Sequence, residues 1–462
     1  MNQPTLDFIH LHAADDVRQL ALGSAPAGVD LRAALRQIEG RQLAARKLPS
    51  WAANDGLLFP RRLSLEQCSS EATARYKRQL VAGLLRPEGG AAASFADLTA
   101  GFGVDFVALA PLFAQALYVD RDPDLCELAR HNLSCLGVTH AQVLAASAED
   151  VLDALLDHSS FLEGQASKLE RFILHSSFLK GQASKLERFI LHSPLSLVML
   201  DPARRDAAGR KVALIEDCTP DVCALQGRLR SVARLTLIKL SPMLDLTAAL
   251  RSLHAIVEAH IVSVGGECKE LLLLMRGEGA SSLSAPSSLD DVPISCVDLP
   301  SQLAADEDFA EPFLFTRTEE AAAPAPLYPE PSALASAEGL YLYEPSASLL
   351  KAGAFRLLGQ RYPVQKLAPQ SHLYVSRLPV DDFPGRAWRV LRASTFSKRD
   401  LRRFLADIPA AELSVRGFPA SVATLRRQLH LREGGTAHLI ATTLADNSRM
   451  LLEVERVGKA QI

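Results

Sequence analysis

The sequence predicts an α/β protein: a seven-stranded, mostly parallel sheet preceded by a helical region and followed by an α+β part. Three observations predict it. An apolar run at 91–96 leads into Asp97-Leu98-Thr99-Ala100-Gly101-Phe102-Gly103-Val104-Asp105, then a helix-like run to Phe113 and a second apolar segment, Ala116–Val119, that ends in Asp120. Strand, glycine turn, helix and a strand closing on an acid make half of a nucleotide-binding α/β unit. Residues 92–276 then alternate strand and helix patterns, as a parallel sheet requires. Finally, Gly265-Gly266-Glu267 joins the last two strands as a hairpin, so the seventh returns antiparallel.

Taken in order, residues 1–88 read as helices at Asp16–Leu22, Leu31–Lys47 and Ser69–Leu85, with Leu48-Pro49-Ser50-Trp51 and Gly56-Leu57-Leu58-Phe59-Pro60 forming a loop. Strands of the 89–276 region fall at 93–97, 116–120, 141–145, 195–200, 233–240, 258–264 and 269–275. Between the third and fourth, His158–Leu174 recurs as His175–Leu191 with Lys180 replacing Glu163 as the only change. Architectural repeats diverge more than this, so 158–191 reads as a tandem duplication in a connection where extra length costs little. Residues 277–339, rich in Ser, Pro, Ala and acid, read as a linker or loosely packed hairpin. A basic α+β part fills the rest.

The chain has 462 residues, 48% apolar and 22% charged, which allows two or three domains of ordinary globular composition. Seven cysteines with no C-x-x-C pair argue against a disulfide framework or zinc ribbon and for a reducing compartment. Met1–Val29 shows no basic head followed by an apolar run, and no stretch approaches a membrane span. A cytoplasmic location without membrane or metal partners is therefore expected. Net charge is only −3, but 351–462 carries 19 Lys plus Arg against 9 Asp plus Glu, while the remainder carries 31 against 44. That asymmetry suggests a polyanionic partner for the C-terminal part. Solvated outer faces of helices bearing Arg402-Arg403 and Arg426-Arg427 would account for some of it.

The glycine turn discriminates between ligands. A dinucleotide site needs a third glycine, and here that position is Phe106. Acids before the turn (Asp97) and within it (Asp105) would repel a phosphate and suit a cation with an amino group. S-adenosylmethionine carries both a sulfonium and an α-ammonium, and the segment resembles motif I of class I methyltransferases. A tight β-α turn with no ligand is the plain alternative. Asp120 would face ribose hydroxyls. After the third strand, the resemblance sets Ser147 toward an adenine amino group with the Ala148 amide on the ring. A helix N-cap by Ser147, with Glu149 or Asp150 in the first turn, is compatible with that.

The fourth strand ends in Asp201-Pro202-Ala203-Arg204-Arg205-Asp206, the place of motif IV in the same enzymes. In nucleic-acid amino-methyltransferases an acid or Asn, two prolines and an aromatic ring stand there. This chain keeps Asp201 and Pro202 but has Ala203 and Arg204 next, so a stacking ring must come from elsewhere. A guanidinium can itself stack on a base or grip a phosphate. Alternatively Asp201 caps the strand and Arg204-Arg205 pair with Glu216-Asp217. Lys239, in an apolar fifth strand, needs an anion partner, either Asp201 or substrate. No cysteine lies at this edge, so covalent catalysis is not expected, and Cys268 reads as structural. Ahead of the sheet, Gln67 to Thr73 opens a helix that Ser69 or Ser70 can cap.

Together the chain resembles bacterial class I S-adenosylmethionine-dependent methyltransferases with C-terminal ferredoxin-like and THUMP-like domains. The matching segments are Leu48–Ala52, Glu66–Lys77, Asp97–Asp105, Leu200–Asp206, Ile215–Pro220, Lys239–Asp245 and Val262–Leu274. Further matches are Tyr341–Pro345, Ser371–Tyr374, Phe383–Arg386 and Gly434-Gly435. Val415-Arg416-Gly417-Phe418-Pro419 departs from relatives that carry Asn before Phe. The resemblance implies a Rossmann-like core at 89–276, a ferredoxin-like module at 340–381 and a THUMP-like module at 382–457. It implies cofactor contacts from Gln67, Ser69, Asp97, Thr99, Gly101, Gly103, Asp105, Asp120, Arg121, Ser147 and Ala148, with Asp201, Pro202 and Arg204 at the methyl-transfer face. THUMP domains occur in RNA-modifying enzymes, so tRNA or rRNA is the expected substrate. A non-catalytic RNA adaptor and a methyltransferase with a non-RNA substrate are the alternatives.

Overall fold

The computed structural model describes residues 1–85, 93–161, 194–203, 214–280, 284–301, 309–330, 334 and 338–458. The second copy of the duplication, and all of the first beyond Phe161, lie outside them. The chain divides into two units, one of 1–259, 270–289 and 299–309, the other of 260–269, 290–298 and 310–462.

The first unit begins with helices α1 (Gln3–Leu11), α2 (Val17–Ala21), α3 (Leu31–Lys47), α4 (Pro49–Ala52), α5 (Arg62–Gln67) and α6 (Glu71–Leu84). The α3 bounds are those the sequence predicts. Asp30 caps its first turn, and Pro49, which cannot continue a helix, starts the short turn α4 instead. Helices α1, α4 and α5 are additional to the sequence reading; each is short and partly hidden by proline or loop-like residues. The loop at Leu57–Phe59 is clasped from both sides. Gln37 of α3 exchanges two hydrogen bonds with the Phe59 backbone, at 2.8 and 3.0 Å. Asn132 does the same for Leu58, at 2.9 and 3.0 Å. Buried amides without such partners would each cost about 1–3 kcal/mol.

The larger sheet contains β1 (Ser94–Asp97), β2 (Gln115–Asp120), β3 (Ala141–Ala145), β4 (Leu195–Leu200), β5 (Ala233–Leu240), β6 (Ile256–Val264) and β7 (Glu267–Arg276). Helices α7 (Val104–Leu109), α8 (Pro123–Cys135), α9 (Ala148–Phe161), α10 (Val222–Val232) and α11 (Leu246–Ser252) connect them. The order is β3-β2-β1-β4-β5-β7-β6, continued by β8 (Ile294–Leu299) and β9 (Phe313–Phe315). β1 to β5 pair in parallel and β7 lies antiparallel to β5, as the hairpin signal predicts. The order reverses between β1 and β4, which opens a crevice at their carboxyl ends where open α/β sheets bind ligands.

In the 277–339 stretch, read from sequence as a linker or loosely packed hairpin, β8 and β9 form a packed antiparallel pair. Ile294, Cys296, Val297, Phe313 and Phe315 are buried, and the two strands pair antiparallel. A helix, α12 (Arg317–Ala322), follows, closed by a capping box between Thr316 and Glu319. Serine, proline and acid around these short strands swamp their apolar signal in the composition.

The second unit carries a seven-stranded sheet ordered β11-β12-β10-β13-β16-β15-β14. Its strands are β10 (Tyr341–Pro345), β11 (Gln365–Lys366), β12 (Tyr374–Ser376), β13 (Gly385–Thr395), β14 (Ala410–Arg416), β15 (Arg432–Thr443) and β16 (Arg449–Arg456). Helices α13 (Ala347–Ala352), α14 (Phe355–Arg361), α15 (Lys398–Phe404) and α16 (Val422–Leu429) accompany them. The two C-terminal modules expected from the sequence thus share one sheet, joined where β10 pairs with β13.

Candidate active site

The glycine turn between β1 and α7 leaves open space above its backbone. Gly101 and Gly103 have φ of +58° and +88°, values that disfavour any other residue. A Cβ at Gly101 would enter open space, with the Thr99 carbonyl 3.9 Å away as its nearest neighbour. The Gly101 N–H donates to Asp120 Oδ2 at 2.9 Å, and the Asp122 N–H donates to Oδ1 at 2.8 Å. The acid ending β2 therefore holds the turn, and about two of its four lone-pair positions remain for ligand hydroxyls. Phe102 anchors the turn from behind: its ring packs on Trp51 at 4.9 Å and Phe59 at 6.0 Å within a buried apolar cluster.

Asp97 is almost wholly buried and accepts a hydrogen bond from the Thr99 N–H at 3.1 Å. Burial pushes its carboxyl well above the usual range; Asp105 and Asp201 push the same way. Thr99 also ties the turn to β4, since its Oγ1 accepts the Asp201 N–H at 2.6 Å. Pro202 is buried beyond, and Ala203 exchanges hydrogen bonds of 2.8 and 2.9 Å with Thr219. Arg204, predicted at the transfer face, and Arg205 lie outside the described residues.

Behind Asp201 the structure gathers a cluster of charges that should be costly to bury. Lys239 Nζ lies 2.5 Å from Asp201 Oδ2 and 3.2 Å from Asp105 Oδ2. Lys77 Nζ, on α6, lies 2.5 Å from Glu270 Oε2 and 3.0 Å from Asp105 Oδ1, the latter off the hydrogen-bond direction. Ser69 sits between them. Its hydroxyl is 2.6 Å from Asp105 Oδ2 and 3.0 Å from Glu270 Oε1, and it accepts from Lys77 and Lys239 at 3.1 and 3.0 Å. Burial alone would raise Asp105, but the two ammoniums outweigh it and hold that carboxyl below the usual range. Burial opposes the charge of Lys239, yet Asp201, Asp105 and Glu270 push its ammonium well above the ordinary lysine range. Burial pushes Asp201 up, with Lys239 opposing.

Of the predicted cofactor residues, Asp97, Thr99, Gly101, Gly103 and Asp120 converge on the crevice. Asp105 and Ser69 adjoin it and are engaged in the charge cluster. Ser70, rather than Ser69, caps α6, through a box with Thr73. Ser147 caps α9: its Oγ accepts the Asp150 N–H at 3.1 Å, and Ala148 is buried at the helix start. Gln67 and Arg121 are exposed. Lys239 pairs with Asp201, one of the two partners its sequence position allowed. Glu270 went unread; a single carboxylate opening the apolar run Leu271–Met275 is the signal that marks it. Among the described residues no group of His, Cys, Asp and Glu is arranged to hold a metal ion, and no helix is long and apolar enough to cross a membrane.

A crystal structure from Porphyromonas gingivalis W83, described as that of a presumed methyltransferase, is 30% identical, covers 98% of both chains and superposes with a TM-score of 0.74. The chain belongs to the class I S-adenosylmethionine-dependent methyltransferases. An uncharacterized S-adenosylmethionine-dependent methyltransferase of Mycobacterium tuberculosis is 26% identical over 88% of this chain and 91% of its own. Models of a ferredoxin-like domain and a THUMP domain-like module match residues 341–384 and 385–456 of this methyltransferase.

The crevice fits the cofactor. The space over Gly101 admits a ligand backbone-close, and the three carboxylates of the cluster (Asp105, Asp201, Glu270) outnumber its two lysines, an imbalance that favours a cation. When bound, S-adenosylmethionine supplies a methyl group already activated on positive sulfur. Gly101→Val is expected to weaken S-adenosylhomocysteine binding by about tenfold or more in titration calorimetry, because its side chain fills that space. The left-handed backbone should cost a further 1–2 kcal/mol, roughly, of stability in denaturant melts. Unchanged affinity in the folded variant would place the cofactor elsewhere.

Proposed function

We propose that this methyltransferase modifies RNA, tRNA or rRNA, which the C-terminal unit presents to Asp201 and Pro202. The observation that carries this reading is the outer face of α15 and α16. Both helices bury apolar residues (Leu401, Phe404, Val422, Leu425) in one cluster on the sheet of the second unit. Lys398, Arg399, Arg402, Arg403 and Arg427 point away from it, exposed, and none forms an ion pair among the described residues. Five unpaired cations on one helical layer suit a phosphate backbone. The THUMP-like match over the same residues supports it.

At the crevice, Asp201 and the Pro202 carbonyl accept hydrogen bonds from the acceptor group and aim its lone pair at the methyl carbon. S-adenosylmethionine, when bound, would supply the methyl group, and the acceptor would give up its proton to solvent. The remaining contribution of the chain is proximity and exclusion of water.

Incubating the protein with labelled cofactor and total RNA from a strain lacking it tests the reading. Label in RNA supports it; label only in protein or small molecules overturns it. The triple variant Arg399→Ala, Arg402→Ala, Arg403→Ala is expected to flatten the dependence of log affinity on log salt by roughly 2–3. An unchanged slope would remove this face from RNA binding.

A further inference from the structure

The charge cluster behind Asp201 contains more than an acceptor-facing carboxylate requires. Lys239 Nζ has three acceptors: Asp201 Oδ2 at 2.5 Å, Ser69 Oγ at 3.0 Å and Asp105 Oδ2 at 3.2 Å. Lys77 Nζ donates to two, Glu270 Oε2 at 2.5 Å and Ser69 Oγ at 3.1 Å, with Asp105 Oδ1 a 3.0 Å ion-pair contact off the hydrogen-bond direction. An ammonium has three protons, so Lys239 is held on three sides. The side chains of Asp105 and Glu270 are 8% and 6% exposed, whereas that of Asp201 is 36% exposed. Among the described residues only Oδ2 of Asp201 is engaged; Oδ1 is left for a ligand. Among the described residues, Asp201 is the most exposed member of the cluster.

We propose that Lys239 is a positioning residue for methyl transfer: it pins Oδ2 of Asp201 so that Oδ1 faces the acceptor, and Ser69, Asp105, Lys77 and Glu270 hold Lys239 in place. A free carboxylate turns broadly about its last torsion, and fixing one oxygen removes that freedom before the acceptor arrives. The cluster also sets charge. Burial disfavours ionisation of Asp201, Lys239 opposes it, and Asp105 and Glu270 add to the burial effect. The inference rests on Asp201 being the acceptor-facing acid, not on the acceptor being RNA.

The test uses the full chain with 13C-labelled aspartate carboxyls, the Asp201 signal being assigned by its loss in Asp201→Asn. In Lys239→Met, Asp201 is expected to titrate about one pH unit or more higher than in the unaltered protein, without any ligand present. Affinity for S-adenosylhomocysteine should stay within about threefold. With whichever pool accepts label, kcat should fall by about tenfold or more, its acid limb moving to higher pH, while KM for the acceptor changes little. Lys239→Arg keeps the charge but replaces a three-pronged donor by a planar fork. It should restore the Asp201 titration and only part of kcat. A folded Lys239→Met protein in which Asp201 titrates as before overturns the proposal. Should that variant not fold, full kcat in Lys239→Arg overturns it instead. Absence of label in RNA leaves the titration result standing, so failure of the substrate reading is separately visible.

Discussion

Asp201→Asn is expected to lower methyl transfer by about 10²–10⁴-fold in kcat, with cofactor affinity within about threefold of the unaltered protein. The substitution changes almost no volume, and the backbone N–H to Thr99 Oγ1 survives it. What changes is the donor pattern. Lys239, 2.5 Å from one oxygen, will claim the single carbonyl of asparagine, and the amide NH2 then faces outward. An acceptor amine or hydroxyl would meet a donor where it needs an acceptor. Calorimetry with S-adenosylhomocysteine and a label-transfer assay separate binding from turnover. A variant retaining more than a tenth of the rate would show that another group orients the acceptor.

Lys77→Met is expected to cost about 3–5 kcal/mol of folding stability, the price of leaving buried carboxylates without a counter-ion. Lys77 is fully buried, and among the described residues its removal deprives Glu270 of its one ion-paired ammonium and Asp105 of one of two. Methionine approximates the length and volume of the lysine stem, so the loss reports charge rather than volume. Adding Glu270→Gln should recover part of it, because a neutral amide no longer needs a cation. Denaturant melts of the two single variants and the double variant measure this coupling. A loss below about 1 kcal/mol in Lys77→Met would mean that water reaches the cluster.

The strand pattern was legible because apolar runs of five or six residues between turn signals leave few alternatives. All seven core strands sit within two residues of where periodicity puts them, and Asp97, Gly101, Gly103, Asp120 and Asp201 stand at the strand ends that predict them. The charge cluster was only half legible. Lys239 announces itself as a cation in an apolar strand, but nothing local tells that Lys77, nearly two hundred residues before Glu270, meets it. Pairings that depend on tertiary assembly leave no spacing to read. The basic surplus of the last quarter was legible as a sum and misleading residue by residue. Arg392 pairs with Asp407 and Glu453, and Arg416 with Glu344, so these guanidiniums serve the fold. Only the structure separates them from the unpaired set on α15 and α16.

The pairing of β10 with β13, from Tyr341 opposite Arg389 to Pro345 opposite Gly385, runs across the point where one family description ends and the next begins. Severed there, each fragment would present a raw strand edge inviting self-association. The C-terminal unit should therefore melt in one cooperative transition and resist dissection at that boundary, so that sequence turnover in either half is constrained by the other.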